Sequence, residues 1–504
     1  MTGAWVLPAR LVAARSVTGR RQALAFADMP ARCSRPPGTP TFTIMMTITT
    51  TLSAAALQRL DRAFKTAGKS LYLVGGSVRD ALLGRPNTDY DFTTDAHPEE
   101  IRRLLASVRP ENVFAVGEKF GTICATIEGH EVQVTAYRGE VYNPRSRKPE
   151  VTFGVSLRQD LARRDFTINA MAQDLASGEL VDPFGGQDDL ANGLVRAVRD
   201  PAERFAEDPL RLLRAVRFAA TLTFTIEGAT RDAVRARAAE LANISRERVA
   251  EEMNKILLSE QPSRGLRLLV ELDLLRQIIP EALPMTEMRT RADRRHKDIW
   301  GHVLQVVDRS PPTLELRWAA LLHDIAKPAT YSYRDGEVHF FGHEALGAQW
   351  ARDIMTRLHY DRATVERVSN LVGMHMRINT YSDWTDGAVR RFMREAGDEL
   401  PALFQLSRAD ITSHRFERVQ AVLVTVDSLE QRCRELEAQA AIAKMRPPLD
   451  GNELMALFGR PPGPWLGKLK AYLLDLVLDG NLDQDDKATG EERARAFLAE
   501  HPEV

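Results

Sequence analysis

A chain of 504 residues is too long for one hydrophobic core, so two to four domains are expected. Apolar content of 44% beside 27% charged residues describes a soluble globular protein, and a net charge of −1 excludes a surface that is basic all over, so any nucleic-acid site must be local. Cys33, Cys124 and Cys433 stand far apart without CxxC spacing, which excludes a disulfide framework and a zinc knuckle and suits a reducing cytoplasm.

Residues 1 to about 50 carry Arg10, Arg15, Arg20, Arg21, Arg32 and Arg35 against one acid, Asp28, and then Pro36, Pro37 and Pro40. An Arg-rich, acid-poor leader suits a transit peptide or translation from an upstream start, with Met45 or Met46 the working start. Without amphipathic periodicity the second reading is favoured, and a disordered extension is expected. No apolar run reaches membrane-spanning length, so no transmembrane helix and no membrane partner are expected.

Helical spacing runs from Leu52 to Ala67, and the chain then enters LYLVGGSVRDALLGRPNTDYDFTT, Leu71 to Thr94. An apolar run leads into a Gly-Gly turn and a short helix, and a second run carries Asp89 and Asp91 either side of Tyr90. Side chains at i and i+2 of a strand leave the same face, so both carboxylates point at one spot, where divalent metal can bind. Backbone N–H groups beside Gly75 and Gly76 can approach phosphate oxygens at the start of the helix, and Arg79 can add a charge-assisted contact. Gly-Gly alone marks a turn, and two aspartates after Pro86-Asn87 alone are solvated turn residues. Together, and this close, they point to nucleotidyl transfer with two metals, one lowering the pKa of the attacking hydroxyl and one neutralising the leaving pyrophosphate.

Short alternating segments continue at Gly121 to Ile127 and Glu131 to Tyr137. The latter places Glu131, Gln133, Thr135 and Tyr137 on one face, which makes Glu131 the candidate third carboxylate and Gln133 a neutral neighbour. Between Tyr137 and Val151 lies a polar loop with Arg145, Arg147 and Lys148, expected to be mobile. In LARRDFTINAMA, Leu161 to Ala172, Arg164 suits a triphosphate and Asp165 a ribose hydroxyl. DPFGGQDDL, Asp182 to Leu190, reads as a turn, after which the pattern is helical throughout. In the helix EDPLRLLRAVRFAA, Glu207 to Ala220, Asp208, Arg211, Arg214 and Arg217 recur every third residue as a charged stripe. Such a stripe can be a solvated face, or it can read a base. A carboxylate accepting from an exocyclic amine beside a guanidinium donating to a ring nitrogen takes cytosine and adenine and rejects guanine and uracil.

In this order these segments resemble the class II tRNA nucleotidyltransferase and bacterial poly(A) polymerase family, within the polymerase-β-like nucleotidyltransferases. LVGGSVRDALLG with DYD, RRDFTINAMA, DPFGGQDDL, EDPLRLLRAVRF and SRERVAEEMNKIL are similar to its five motifs, across about Leu71 to Leu257. The resemblance implies that Gly76 and Arg79 contact the incoming nucleotide, Asp89 and Asp91 hold magnesium, Arg164 holds the triphosphate and Asp165 the ribose. It further implies that Asp208, Arg211, Arg214 and Arg217 form the nucleotide pocket, and that the loop around Arg145 helps the switch from C to A addition. Gln133 departs from the pattern, standing where many relatives are acidic.

Further on come His302, His323-Asp324, His343, His375 and Asp410. A single His-Asp dipeptide is usually structural. The ordered set resembles the HD superfamily of metal phosphohydrolases, which implies His302, His323, Asp324 and Asp410 as ligands of a second divalent metal, with hydrolysis a possible further activity. With WTDGAVRRFMREAG and RPPLDGNELMALFG the combination looks most like the actinobacterial form.

The expected fold is α+β: an extension over 1–50, an α/β nucleotidyltransferase head over 51–190, a helical neck over 191–285, an HD body over 286–440 and a tRNA-contacting tail over 441–504. The tail reads as loop-rich, with Pro447, Pro448, Pro461, Pro462 and Pro464 and one helix near Leu466 to Leu478. The resemblance implies template-independent addition of CCA to the 3′ end of tRNA from CTP and ATP in the cytoplasm, with release of pyrophosphate. Poly(A) polymerase is the closest alternative, disfavoured by the lack of a strongly basic RNA-binding tail. The others are an HD phosphohydrolase with a nucleotide-binding head and a non-catalytic RNA-binding module.

Overall fold

The computed structural model describes residues 52–86, 89–115, 121–141, 150–288, 298–335, 337–382, 384–412 and 416–501. The expectations for the leader, for its start at Met45 or Met46 and for the loop with Arg145, Arg147 and Lys148 fall outside the described residues.

The first helix, Ala54–Thr66, starts where the Ser53 hydroxyl accepts from the Ala56 N–H and buries Ala56, Leu60 and Phe64 at four-residue spacing. It packs on a mixed sheet of strands β1 (Leu71–Val74), β2 (Asp89–Thr94), β3 (Asn112–Ala115), β4 (Thr122–Ile127), β5 (His130–Ala136), β8 (Ala172–Asp174) and β9 (Leu180–Val181). Their order is β3-β4-β5-β2-β1-β8-β9, with β2 and β5 parallel and the other neighbours antiparallel. On β2 the apolar Tyr90 and Phe92 turn into the core, and this alternation leaves Asp89 and Asp91 on the opposite face. Strands β6 (Arg138–Val141) and β7 (Glu150–Phe153) form a separate antiparallel pair. The expected polar loop after Tyr137 therefore begins and ends in paired backbone, a register that a Gly- and charge-bearing stretch conceals.

From Pro201 onward the chain is mainly helical. Two short ladders correct the expectation of helix throughout: Leu194–Val195 beside Thr225–Ile226, and Ser332–Arg334 beside Glu337–His339. Runs of two or three residues are too short to carry a period-two signal. The expected single helix from Glu207 to Ala220 is also corrected. One helix, Pro201–Glu207, ends at Asp208, which is extended (φ −143°, ψ 100°), and Pro209 opens a second, Leu210–Leu222. The ring of Pro209 disfavours helical backbone at the residue before it, so Asp208 sits in a joint ahead of the arginines.

One continuous apolar core runs from Leu52 to Leu436, through the sheet, the neck helices and the helices that follow them. The tail is three helices rather than loop: Gly451–Phe458, Pro464–Leu478 and Lys487–Glu500 pack Leu454, Trp465, Leu469 and Leu473 into their own core. Pro464 occupies the first turn of its helix, where the missing N–H costs nothing, so that proline marks a start and not a break. Among the described residues no helix is long and apolar enough to cross a membrane.

Candidate functional site

Strand β1 ends at Val74, and Gly75 turns the chain with φ +68° into the short helix Gly76–Leu82. A side chain at Gly75 would be strained by that φ, and its Cβ would lie 2.8 Å from Arg164 Nη1. The turn is pinned to β2 by one buried hydroxyl. Ser77 Oγ donates to the Asp89 carbonyl at 3.0 Å and accepts from the Asp91 N–H at 3.1 Å. The phosphate-type turn and the two aspartates are therefore one rigid unit. Arg79 is aimed by Asp80, at 2.9 and 2.7 Å, and by the Asn169 side-chain oxygen at 2.8 Å.

Across the parallel ladder Asp89 pairs with Glu131 and Asp91 with Gln133, and Gln133 Nε2 donates to Glu131 at 2.8 Å. Burial pushes the Asp91 carboxyl up from its ordinary range, Arg164 opposes this, and the charges of Asp89 and Glu131 add to it. Three carboxylates on the adjoining starts of β2 and β5 against one guanidinium are an anion-rich donor set of hard oxygens, which fits magnesium or a similar divalent cation. Arg164 is braced by Asp160, which is fully buried, with Nη2 at 3.5 Å, while its Nε is buried without a hydrogen-bond partner.

Behind this face, Asp165 is held by the Phe166 N–H at 2.8 Å, by Asn169 Nδ2 at 3.0 Å and by two donors of Arg214 at 2.8 and 2.6 Å. Burial opposes ionisation of Asp165, but the Arg214 charge and these hydrogen bonds hold the carboxyl well below the usual carboxylate range. Arg217 Nε donates to Glu252 at 2.5 Å, and the guanidinium groups of Arg79, Arg214 and Arg217 lie 5.2, 5.6 and 3.8 Å from the Phe218 ring centre. The charged stripe divides accordingly. Arg214 and Arg217 face Asp165 and Glu252. Arg211 is buried and donates to Glu207 at 2.7 Å, to the Arg204 carbonyl at 3.0 Å and to the Arg163 carbonyl at 2.8 Å. Asp208 accepts from Arg248 at 2.9 Å and from the Leu210 N–H at 3.1 Å, and it does not pair with Arg211.

The second constellation is far more closed. His302 lies on the helix Ile299–Arg309, His323 and Asp324 follow Leu314–Leu322, and Asp410 ends Leu400–Asp410. His302 Nε2 is 2.9 Å from Asp410, 3.4 Å from Asp324 and 3.2 Å from His323 Nε2; His323 Nε2 is 3.3 Å from Asp324 and 3.5 Å from Asp410. The four residues expected as ligands do converge. His323 Nδ1 donates to the Ala320 carbonyl at 2.9 Å, and His302 Nδ1 meets Thr412 Oγ1 at 2.8 Å, so each presents Nε2 inward. Burial works against a charge on His323, yet Asp324 and Asp410 raise its imidazolium to about 10, and both carboxyls are held well below their usual range. A metal ion entering this cluster displaces that proton. Imidazole nitrogens with carboxylates suit a first-row divalent transition metal.

Sequence reading left Ser77, Asn169 and Glu252 without a role. Glu252 carries a usable signal: it sits among Val249, Met253 and Ile256 on the buried face of Arg246–Leu257, where an acid needs a cationic partner. Ser77 and Asn169 carry none, because their contacts depend on where distant strands and turns meet.

Residues 71–196 match the family described as "Poly A polymerase head domain", residues 223–285 "Probable RNA and SrmB- binding site of polymerase A" and residues 299–415 "HD domain". The chain is 36% identical to an A-adding tRNA nucleotidyltransferase of Deinococcus radiodurans, over 84% of this chain and 94% of that protein. It is 31% identical to a CCA-adding enzyme of a Geobacillus species, over 82% of this chain and 90% of that protein. Among solved structures, the CCA-adding enzyme of Bacillus stearothermophilus in complex with CTP is similar with a TM-score of 0.54 at 25% identity, covering 89% of this chain and 98% of that one.

Proposed function

The chain belongs to the tRNA nucleotidyltransferase family, and from that premise we propose that it completes the 3′ end of tRNA with C, C and A from CTP and ATP, releasing pyrophosphate. The observation that carries this reading is the turn unit in which Ser77 locks Gly75-Gly76 to Asp89 and Asp91, with Arg164 alongside. The tRNA 3′ hydroxyl attacks the α-phosphate, and the bond to the β-phosphate bridging oxygen breaks. Asp89 and Asp91 would hold the magnesium ions, of which one would supply the lowering of that hydroxyl's pKa and the other the neutralisation of the departing pyrophosphate.

The remaining work falls to side chains. Arg164 and Arg79 take triphosphate oxygens beside the glycine turn. The ribose hydroxyl donates to Asp165, a carboxylate already fixed by Phe166, Asn169 and Arg214 and with acceptor capacity left. Asp208, Arg211, Arg214 and Arg217 line the base pocket. Because Asp208 and Arg211 are each engaged elsewhere, presenting a carboxylate and a guanidinium to C or A requires a local shift at the Asp208-Pro209 joint. Recognition of tRNA rests on shape and phosphates, and the cytoplasm is the proposed compartment. In the body, His302, His323, Asp324 and Asp410 would hold a divalent transition metal, which would activate a water for hydrolysis of a phosphate ester as a second activity.

Incubating the purified chain with tRNA lacking CCA, with CTP and ATP together and apart, tests the transfer. A product three nucleotides longer that needs both is expected. Extension only of tRNA already ending in CC would assign the partial activity named for the Deinococcus relative, and long A tails formed without CTP would make it a poly(A) polymerase. The hydrolytic reading predicts phosphate release from 2′,3′-cyclic nucleotides that disappears in His323→Ala; no release with any divalent metal leaves that cluster structural.

A further inference from the structure

Asp160 is a buried carboxylate with two arginines to balance, Arg163 and Arg164. It lies on the helix Leu157–Ala162, fully enclosed and just ahead of both. Its Oδ1 accepts from Arg163 Nε and Nη2 at 3.0 and 2.8 Å and from the Arg138 N–H at 3.3 Å. Its Oδ2 faces the strand that carries the paired aspartates. The Thr93 hydroxyl, 3.3 Å away, stands on β2 two residues beyond Asp91 and on the same face. Arg164 Nη2 is 3.5 Å from that same oxygen. Burial opposes the charge of Asp160, but Arg163 and Arg164 outweigh it and hold the carboxyl below its ordinary range.

The two arginines are held unequally. Arg163 closes two hydrogen bonds onto one oxygen, which fixes it in place. Arg164 at 3.5 Å is paired by charge at a distance longer than an ordinary N–H···O hydrogen bond, and its Nε is buried without a partner, so its donors remain available. The far end of the guanidinium reaches the glycine turn, where Nη1 lies 2.8 Å from the point a Gly75 Cβ would occupy. One side chain thus spans from a fixed anion to the place where phosphates arrive. Its competing partner is the acidic face, because the charge of Arg164 already acts on Asp91. Without an anion behind it, an arginine beside Asp89, Asp91 and Glu131 would settle on them.

We propose that Asp160 is a positioning residue for nucleotide binding, a buried counter-charge that keeps the Arg164 guanidinium off Asp91 and beside the Gly75 turn, set to receive the triphosphate. The inference rests on the reading of Arg164 as the triphosphate arginine and adds the group that aims it.

The test is equilibrium dialysis of the full chain in magnesium buffer without tRNA, against CTP and against CMP. Asp160→Asn should weaken CTP about tenfold and leave CMP within about twofold, because only the triphosphate loses a charge-assisted contact. Because Asp160→Asn also takes a carboxylate from Arg163, which can unfold the chain, Asp160→Asn/Arg163→Met is measured beside it. That double variant should show the same loss, and Arg163→Met alone should bind CTP within about threefold of wild type. In an Arg164→Ala background, Asp160→Asn should add nothing to the loss. Equal weakening of CTP and CMP, an Asp160→Asn effect that persists without Arg164, or a loss in Arg163→Met as large as in the double variant would overturn the proposal. If Arg164→Ala binds CTP as wild type does, the reading of Arg164 falls and this inference with it. If Arg164→Ala is weakened and the double variant is not, the inference alone falls.

Discussion

The head and the body both gather carboxylates, and they do so in opposite ways. In the head, Asp89 and Asp91 lie on one face at the start of the internal strand β2 with Asp89 exposed, and among the described residues Glu131 is the carboxylate across the ladder from them. In the body, His302, His323, Asp324, His343, His375 and Asp410 converge from several helices, and each imidazole is fixed through its Nδ1. An open acidic face suits ions that arrive with a nucleotide and leave with pyrophosphate, because the phosphates complete the coordination. A closed nest of imidazoles suits ions that stay. One chain thus carries an acidic site left open to solvent and an imidazole cluster enclosed by its own helices.

The largest effect that sharpens this contrast comes from the open site. Asp89→Ala and Asp91→Ala should each lower CMP incorporation by roughly three orders of magnitude or more, about 4 kcal/mol of transition-state stabilisation. Manganese retained by the body should not change, and an equal loss of body metal would break the separation. Next in size is Asp165→Asn, which removes a carboxylate from Arg214. A buried pair broken from one side costs about 3–5 kcal/mol, and with Arg214 a third exposed about 2–3 kcal/mol is expected in chemical unfolding. The pH dependence has a definite sign. The Asp165 carboxyl is depressed in the folded chain, so its contribution is present above its unfolded value of about 3.9 and fades as pH falls below it. The stability gap between wild type and Asp165→Asn should therefore narrow on acidification; a constant gap would show that the ion pair is not its source. Glu252→Gln should act more weakly, loosening Arg217 by about 1–2 kcal/mol and raising KM for CTP more than it lowers kcat. Ser77→Ala should be the mildest, about 1 kcal/mol, seen as a several-fold lower kcat with the fold intact.

Much of the head was legible because its chemistry is local. Alternation along Asp89-Tyr90-Asp91 placed the two carboxylates on one face, and Gly75-Gly76 marked a turn whose φ only glycine takes without strain. The division of the stripe was not legible: helical periodicity puts Arg211, Arg214 and Arg217 together, but which of them turns inward depends on Arg163 and Glu252 arriving from elsewhere in the chain. The joint at Asp208-Pro209 could have been read from the proline alone. In the body the His-Asp pair and its partners were visible as a set, whereas the sharing of Asp324 between two groups of imidazoles depends on helix packing that no spacing encodes. The tail misled because prolines that start helices look, in sequence, like prolines that prevent them.

Nucleotidyl transfer is expected to run on the open pair in the head and not to need the closed cluster in the body. The measurement that tests it most directly is the rate of CMP incorporation into tRNA lacking CCA, for Asp91→Ala and His323→Ala prepared side by side. His323→Ala within about twofold of wild type, with Asp91→Ala inactive, is the predicted result. A folded His323→Ala that has lost incorporation, or an Asp91→Ala that keeps it, would contradict the account.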